Sequence, residues 1–177
     1  MAQRLFFALL PDAEACRALA TVAAATASAT GGRAPPAENL HVTVAFLGQV
    51  ADERTAAVLA IGARAAANAT SFVLELDRAG MFRDAGIAWL GTRAVPQALQ
   101  DLFEALRADL STEGFRTERR SFHPHVTLAR RALRPPAESG VTPIGWRVDA
   151  LTLMASKTLP GGARYAAMAS WPLRSDA

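Results

Sequence analysis

The chain has 177 residues, of which 51% are hydrophobic and 20% charged, and its formal net charge is +3. This length can bury one core or two small lobes that share an interface, and we expect one domain over residues 1–177. No apolar stretch is long enough to span a bilayer, which argues against a membrane protein and favours a globular protein of the cytoplasm. The single Cys16 excludes an internal disulfide, as expected in a reducing compartment.

In chain order, the first predicted strand spans Arg4–Leu10, an apolar run that is too short for a signal peptide and is followed by acidic residues. An alanine-rich helix comes next and ends before Gly31. The second strand is predicted at Leu40–Phe46. Asp52 is the expected N-cap of a helix that runs to about Asn68.

The second half of the chain begins with an alternating strand over residues 72–77, whose expected hairpin partner is Gly86–Gly91. The clearest helix follows Pro96, because leucines recur at helical spacing up to Leu110. The remaining three elements are strands, predicted at Phe122–Ala129, Trp146–Ser156 and Tyr165–Trp171.

Two of the three histidines begin the same tetrapeptide pattern, His41-Val42-Thr43-Val44 and His125-Val126-Thr127-Leu128. Side chains alternate between the two faces of a strand, so each copy presents one imidazole and one hydroxyl on the same face. If the two strands face each other across a cleft, two imidazoles and two hydroxyls converge on one small volume.

The two motif strands, near 40–47 and 122–129, follow the first and third helices and lie about half of the chain apart, which suggests an approximate internal duplication. We therefore expect an α+β, bilobal fold with pseudo-two-fold symmetry. Its two antiparallel sheets would line a central cleft, with the helices on the outside.

Paired histidines suit acid–base chemistry on a phosphate. The unperturbed imidazole pKa is about 6.5, so one ring can accept a proton at neutral pH while its partner, near an anion, donates one. The threonine hydroxyls would hold the phosphate oxygens. His123 has the same strand parity as His125, but no carboxylate stands at metal-ligand spacing, so no metal site is predicted.

Almost every basic residue is arginine, Lys157 being the only lysine, and a group of arginines lies close to the second motif. Such a group either attracts a polyanion and orients its phosphates or forms an ordinary solvated surface. The residues concerned are Arg116, Arg119, Arg120, Arg130, Arg131 and Arg134.

At these residues the chain resembles the two-histidine (2H) phosphoesterase superfamily, whose members carry two His-x-Thr/Ser-x motifs in a bilobal α+β fold. The segments Gln3–Ala8, Asn39–Gly48 and Phe122–Arg130 resemble its bacterial RNA 2′,3′-cyclic phosphodiesterase branch, formerly described as 2′-5′ RNA ligases. The resemblance implies a hydrolase that opens the 2′,3′-cyclic phosphate of an RNA end or a cyclic nucleotide to a 2′-phosphate. It implies no cofactor.

The resemblance also implies roles for the motif residues. His41 would be the proton donor to the leaving 3′ oxygen and His125 the proton acceptor for water, whereas the residues alone leave these two roles open. Thr43 and Thr127 would bind phosphate oxygens. Arg130 is the expected extra phosphate contact, although strict strand alternation would aim it away from the cleft face. For Phe46 and His123, base stacking or another role in the cleft remains open beside simple packing.

Three alternatives remain open from the sequence. The protein is either this phosphodiesterase, a related enzyme that acts on another small phosphoester, or a module that binds a nucleotide or RNA end without turnover. Minor 2′-5′ RNA ligation is also conceivable. It would be ATP-independent, because Ser156-Lys157-Thr158 does not resemble an adenylation motif. We expect a monomer with no obligate protein partner and no membrane association.

Overall fold

The structure, a computed structural model, describes residues 2–117, 121–137, 140–159 and 162–175. Within these ranges three α-helices form: α1 (Ala13–Thr30), α2 (Thr55–Asn68) and α3 (Gln97–Thr112). Nine β-strands form in the same ranges: β1 (Ala2–Leu9), β2 (Val42–Ala51), β3 (Phe72–Leu76), β4 (Arg78–Phe82), β5 (Ile87–Gly91), β6 (His125–Arg130), β7 (Ile144–Val148), β8 (Ala150–Leu159) and β9 (Gly162–Pro172). None of the described helices is long and apolar enough to cross a membrane.

The helix ends have local causes. The Asp12 carboxylate accepts a hydrogen bond from the Ala15 N–H at 2.8 Å and caps the start of α1. Gly31 ends the same helix in the left-handed conformation at φ 73°. The predicted N-cap of α2 is wrong. Asp52 instead begins a 3₁₀ turn that runs to Arg54, a common lead-in to an α-helix, and α2 starts at Thr55.

Seven strands form one antiparallel sheet in the order β4-β5-β6-β2-β1-β8-β9, and β3 pairs with β7 in a second, two-stranded sheet. The predicted α+β class and the antiparallel sheets are confirmed. The two motif strands, β2 and β6, lie side by side in the large sheet rather than in facing sheets. The pair Val42 and Val126 is their one point of ladder pairing in the described chain.

The predicted hairpin between residues 72–77 and Gly86–Gly91 is wrong. Strand β5 pairs with β4, whose hairpin turns at Gly86 in the left-handed conformation (φ 60°), and not with β3. Strand β3 pairs with β7 far along the chain. The predicted long strand Trp146–Ser156 is also two strands, because the chain leaves the ladder at Asp149 and passes from the small sheet to the large one.

The motif strands begin later than predicted. His41 directly precedes β2, which continues past Gly48 to Ala51. Strand β6 begins at His125 because Pro124, without an N–H, cannot donate to a strand ladder. The parity argument for His123 therefore fails, since that residue precedes the strand.

The large sheet has one face in the main core. Val42 and Val126 are fully buried there, together with the leucines that α3 presents at helical spacing. Helix α1 contacts β6, helix α2 contacts β8 and β9, and helix α3 contacts β2. On the opposite face the described residues include a small apolar cluster of Phe6, Ala8 and Met154, against which Tyr165 packs. The motif side chains lie on this second face.

Candidate active site

The register of β2 and β6 places the histidine of each motif opposite the threonine of the other motif. Val42 is opposite Val126 in an antiparallel pair, so one residue outward on each side His41 is opposite Thr127 and Thr43 is opposite His125. Since both valines point into the core, these four side chains project from the other face. Each imidazole is therefore beside a hydroxyl of its own motif and across from a hydroxyl of the other motif.

His41 is held by a local hydrogen bond and two aromatic rings. Its Nδ1 lies 2.7 Å from the carbonyl oxygen of Asn39. A carbonyl oxygen only accepts, so Nδ1–H donates and Nε2 is the ring nitrogen that can exchange a proton. Nε2 lies 3.0 Å from the Thr43 hydroxyl oxygen. The ring centroids of Phe6 and Tyr165 lie 5.0 and 5.3 Å from the imidazole centroid.

His125 is held in the same way. Its Nδ1 lies 2.7 Å from the carbonyl oxygen of His123, which again leaves Nε2 for proton exchange. The ring centroids of Phe82 and Trp89 lie 5.0 and 6.2 Å away. Gly80 leaves room for Trp89, since a Cβ there would overlap the indole ring. The two imidazoles thus have the same tautomer, and each lies beside two aromatic rings.

Burial lowers the pKa of His41 below its ordinary value of 6.5, and the positive charges of Arg130 and His125 lower it further. The hydrogen bond to the Asn39 carbonyl opposes this shift by stabilising the protonated ring. At neutral pH the His41 ring is therefore mainly neutral in the free protein. An anion bound beside it would favour the protonated form again.

A first cavity of about 510 Å³ opens beside His125 and Thr43. We call it the aromatic cavity, because Phe46, Phe82, Phe103 and Phe122 line it together with His123. The rings of Phe103 and Phe122 stack at 4.3 Å with an interplanar angle of 4°. Phe46 is 46% exposed.

A second cavity of about 440 Å³ opens beside His41 and Thr127. We call it the arginine cavity, because Arg33, Arg130 and Arg131 line it. Each cavity thus contains the histidine of one motif and the threonine of the other, as the register requires. Tyr165 also lines the arginine cavity, edge-on to His41.

A β-bulge brings Arg130 to the cleft face. Trp89 pairs with Thr127 and Ala88 pairs with Ala129, so Leu128 is an extra residue in β6. Leu128 and Ala129 are consequently both buried, and the alternation restarts with Arg130 exposed. The expectation that alternation turns Arg130 away from the cleft is wrong for this reason.

The other arginines near the second motif are dispersed. Arg134 donates from Nε to the Ala29 carbonyl oxygen at 2.6 Å, at the end of α1, and Arg116 lines neither cavity. Arg119 and Arg120 lie outside the described residues. Sequence reasoning did not single out Arg33 or the contact of Tyr165 with His41. One available signal was that Tyr165 is the single tyrosine of the chain.

In the part of the chain that the structure describes, no three His, Cys, Asp or Glu side chains are grouped closely enough to hold a metal ion. The functional groups that meet at the β2/β6 junction are imidazoles, hydroxyls and guanidiniums. Such a set can transfer protons and bind an anion.

Known proteins resemble this chain over almost its whole length. The RNA 2′,3′-cyclic phosphodiesterase of Escherichia coli is 35% identical, with 97% of both chains covered. That of Thermus thermophilus is 30% identical over 98% of this chain and 91% of its own. The crystal structure of E. coli LigT complexed with 3′-AMP matches with a TM-score of 0.87 and 34% identity, covering 98% of this chain and 99% of that chain.

The model of one protein family matches residues 10–158, a span that includes both motifs, the bulge and the two aromatic residues beside His125, Phe82 and Trp89. The match covers most of the chain, and the fold agrees with it. The chain belongs to the 2′-5′ RNA ligase superfamily.

Proposed function

We propose that the protein is a phosphodiesterase that hydrolyses the 2′,3′-cyclic phosphate of RNA ends or nucleotides to a 2′-phosphate. The observation that carries this proposal is the crossed pairing at Val42 and Val126, which assembles two imidazoles and two hydroxyls on one face. The relatives named RNA 2′,3′-cyclic phosphodiesterase support the choice of substrate. RNA of the cytoplasm is the substrate pool we propose, in keeping with the unpaired Cys16.

The reaction is an in-line displacement at phosphorus. Nε2 of His125 accepts a proton from water as the water oxygen bonds to phosphorus. Nε2–H of His41 donates its proton to the 3′ oxygen as the bond between that oxygen and phosphorus breaks. The proton acceptor and the proton donor stand on opposite sides of the phosphate in this arrangement. The 2′ oxygen keeps its bond, so the product is a 2′-phosphate.

The hydroxyls of Thr43 and Thr127 donate to the two non-bridging oxygens, and the Arg130 guanidinium neutralises the charge that develops on them. The bound phosphate also prepares His41 for its role. Its negative charge raises the pKa of His41, which burial, Arg130 and His125 hold low in the free protein. The donor therefore gains its proton in the presence of the substrate.

The aromatic cavity is the proposed site of a nucleobase. Phe46 offers an exposed ring for stacking, and His123 lies on the same wall. The motif histidine next to this cavity is His125, so the base would cover the side from which water approaches.

The test is turnover of a nucleoside 2′,3′-cyclic phosphate in EDTA, with the product identified by phosphorus NMR. His41→Ala and His125→Ala should each lower kcat by about 10²–10⁴-fold, the usual contribution of general acid–base catalysis. His123→Ala is the comparison variant. It removes the imidazole that lines the aromatic cavity and keeps the backbone carbonyl that accepts from His125, so it should change KM and leave kcat within a few fold of the wild type. Full activity in either motif variant would contradict the proposal.

A second activity is ATP-independent 2′-5′ ligation, in which the 5′-hydroxyl of a second strand replaces water. The family model and the roomy aromatic cavity beside His125 favour it. The check is to incubate a strand with a cyclic phosphate end and a strand with a 5′-hydroxyl without ATP. A 2′-5′ linked product is expected at low yield, and the His125→Ala variant should form none.

The same product analysis separates the other candidates. An enzyme for another small phosphoester would leave 2′,3′-cyclic phosphates intact and would cleave another compound when several cyclic and linear phosphoesters are tested. A module that only binds would retain the cyclic nucleotide without forming product over long incubation.

A further inference from the structure

The arginine cavity contains more positive charge than the proposed reaction needs. A 2′,3′-cyclic phosphate is a diester with one negative charge, and Arg130 is enough to pair with it. Arg33 and Arg131 line the same cavity, and none of its lining residues within the described ranges is an acid. No side-chain hydrogen bond or ion pair joins these three guanidiniums to other described residues.

The backbone places Arg33 directly against Arg130. Arg33 N donates to the Arg130 carbonyl oxygen at 2.8 Å, and Arg130 N donates to the Arg33 carbonyl oxygen at 2.9 Å. Residues that exchange both hydrogen bonds in an antiparallel pair have their side chains opposite each other on one face. Gly32 permits this approach, because a Cβ there would lie 2.8 Å from the Arg130 carbonyl oxygen.

Like charges that face each other across a strand pair are destabilising. The fold nevertheless holds Arg33 and Arg130 together without a described carboxylate between them. Arg131 follows in the left-handed conformation at φ 55°, the one non-glycine with positive φ among the described residues. Backbone strain of this kind concentrates at functional sites. Two anionic groups bound here together would offset both the charge repulsion between Arg33 and Arg130 and the backbone strain at Arg131.

We infer that Arg33, assisted by Arg131, binds the phosphodiester that links the terminal nucleotide to the preceding one, so that the site selects RNA ends over mononucleotides. This inference rests on the proposed function. The base is attached at C1′ and the C5′ arm that carries the 5′ oxygen at C4′, the two carbons that flank the ring oxygen, so the base and the preceding nucleotide extend from different ends of the sugar. When the base occupies the aromatic cavity, the arginine cavity is therefore available to the strand that continues from the 5′ oxygen.

The experiment compares two substrates that differ by this one phosphodiester: a nucleoside 2′,3′-cyclic phosphate without a 5′-phosphate, and a dinucleotide with a 2′,3′-cyclic phosphate end. The wild-type protein should prefer the dinucleotide. Arg33→Gln should lower the ratio of the two kcat/KM values about tenfold, the loss expected for one charge-assisted hydrogen bond. The control Arg17→Gln removes an exposed arginine of α1 outside both cavities, and it should leave both values unchanged.

A second readout depends on charge and not on folding. The kcat/KM of the dinucleotide should fall with salt, and Arg33→Gln should make its log–log slope shallower by about 0.7, the value for one contact with a single strand. An equal loss on both substrates, or no loss on either, with an unchanged salt slope, would overturn the role of Arg33. If the wild-type protein hydrolyses neither substrate, the proposed function fails first, and this inference falls with it.

Discussion

Arg130 acts on His41 through charge before any substrate is bound. Its guanidinium disfavours the imidazolium and contributes to the lowered pKa of His41. Arg130→Gln removes the positive charge, so the protonated ring becomes less unfavourable and the pKa of His41 should rise. Proton NMR titration measures this directly, because the chain has only three histidines. Arg17→Gln is the control, and an unchanged or lower pKa of His41 in Arg130→Gln would contradict the assignment.

The role proposed for the threonine hydroxyls lies at the transition state. Thr43→Val and Thr127→Val keep the branched shape that suits a strand and remove only the donor. Each should lower kcat by about 10²-fold with a small change in KM, since the hydroxyls meet the phosphate oxygens most strongly as charge develops. Thr112→Val, at the exposed end of α3, is the matched control and should retain full kcat. A raised KM with an unchanged kcat would show that the hydroxyls bind the ground state and the transition state equally.

At the scale of elements, the segment after α1 is fixed to β6 by a close backbone approach. Gly32→Ala would place a methyl group against the Arg130 carbonyl oxygen and 3.1 Å from the Ala129 side chain. The bridge between Arg33 and Arg130 should open, and kcat/KM should fall although both motifs are intact. In Gly145→Ala the new methyl group has only ordinary contacts, the nearest at 3.4 Å, so that variant should keep its activity. Equal activities in steady-state assays of the two variants would rule out a functional role for the bridge.

The elements also show what the sequence could predict. The three helices and the motif residues were accessible because leucine spacing, Pro96 and the His-x-Thr repeats are local signals. The partner of β3 was not, because β7 lies far along the chain and nothing in residues 72–76 specifies a distant strand over a nearby hairpin. Arg130 was named from the sequence, but its side-chain direction was predicted wrongly. The alternation rule gives the face of a side chain only in a regular strand, and the extra residue Leu128 shifts the alternation by one residue.

At the scale of the whole molecule, the large sheet has its shortest strand pairing where the candidate active site lies. Strands β4, β5 and β6 form one half, strands β2, β1, β8 and β9 form the other, and a single residue pair joins them in the described ladder. The main core nevertheless contains side chains from both halves and from all three helices. The junction is therefore held by packing on the core face more than by backbone hydrogen bonds across the strands.

This continuity predicts cooperative unfolding. Trp89 reports on one half of the sheet and Trp171 on the other. Two variants, each with one of these tryptophans left and the other two replaced by phenylalanine, should unfold in urea with a fluorescence midpoint equal to the midpoint from far-UV circular dichroism. A fluorescence midpoint that departs from circular dichroism in one variant would show that the halves unfold separately.

The orientation of both motif imidazoles depends on main-chain atoms two residues earlier. Each Nδ1–H donates to a carbonyl oxygen, of Asn39 in one case and of His123 in the other. Every amino acid supplies that carbonyl, so no substitution at either position deletes the acceptor. A mutational scan should therefore find His41 and His125 intolerant and their orienting neighbours much more permissive. Evolution can vary the cavity walls at these two positions without losing the tautomers on which the chemistry depends.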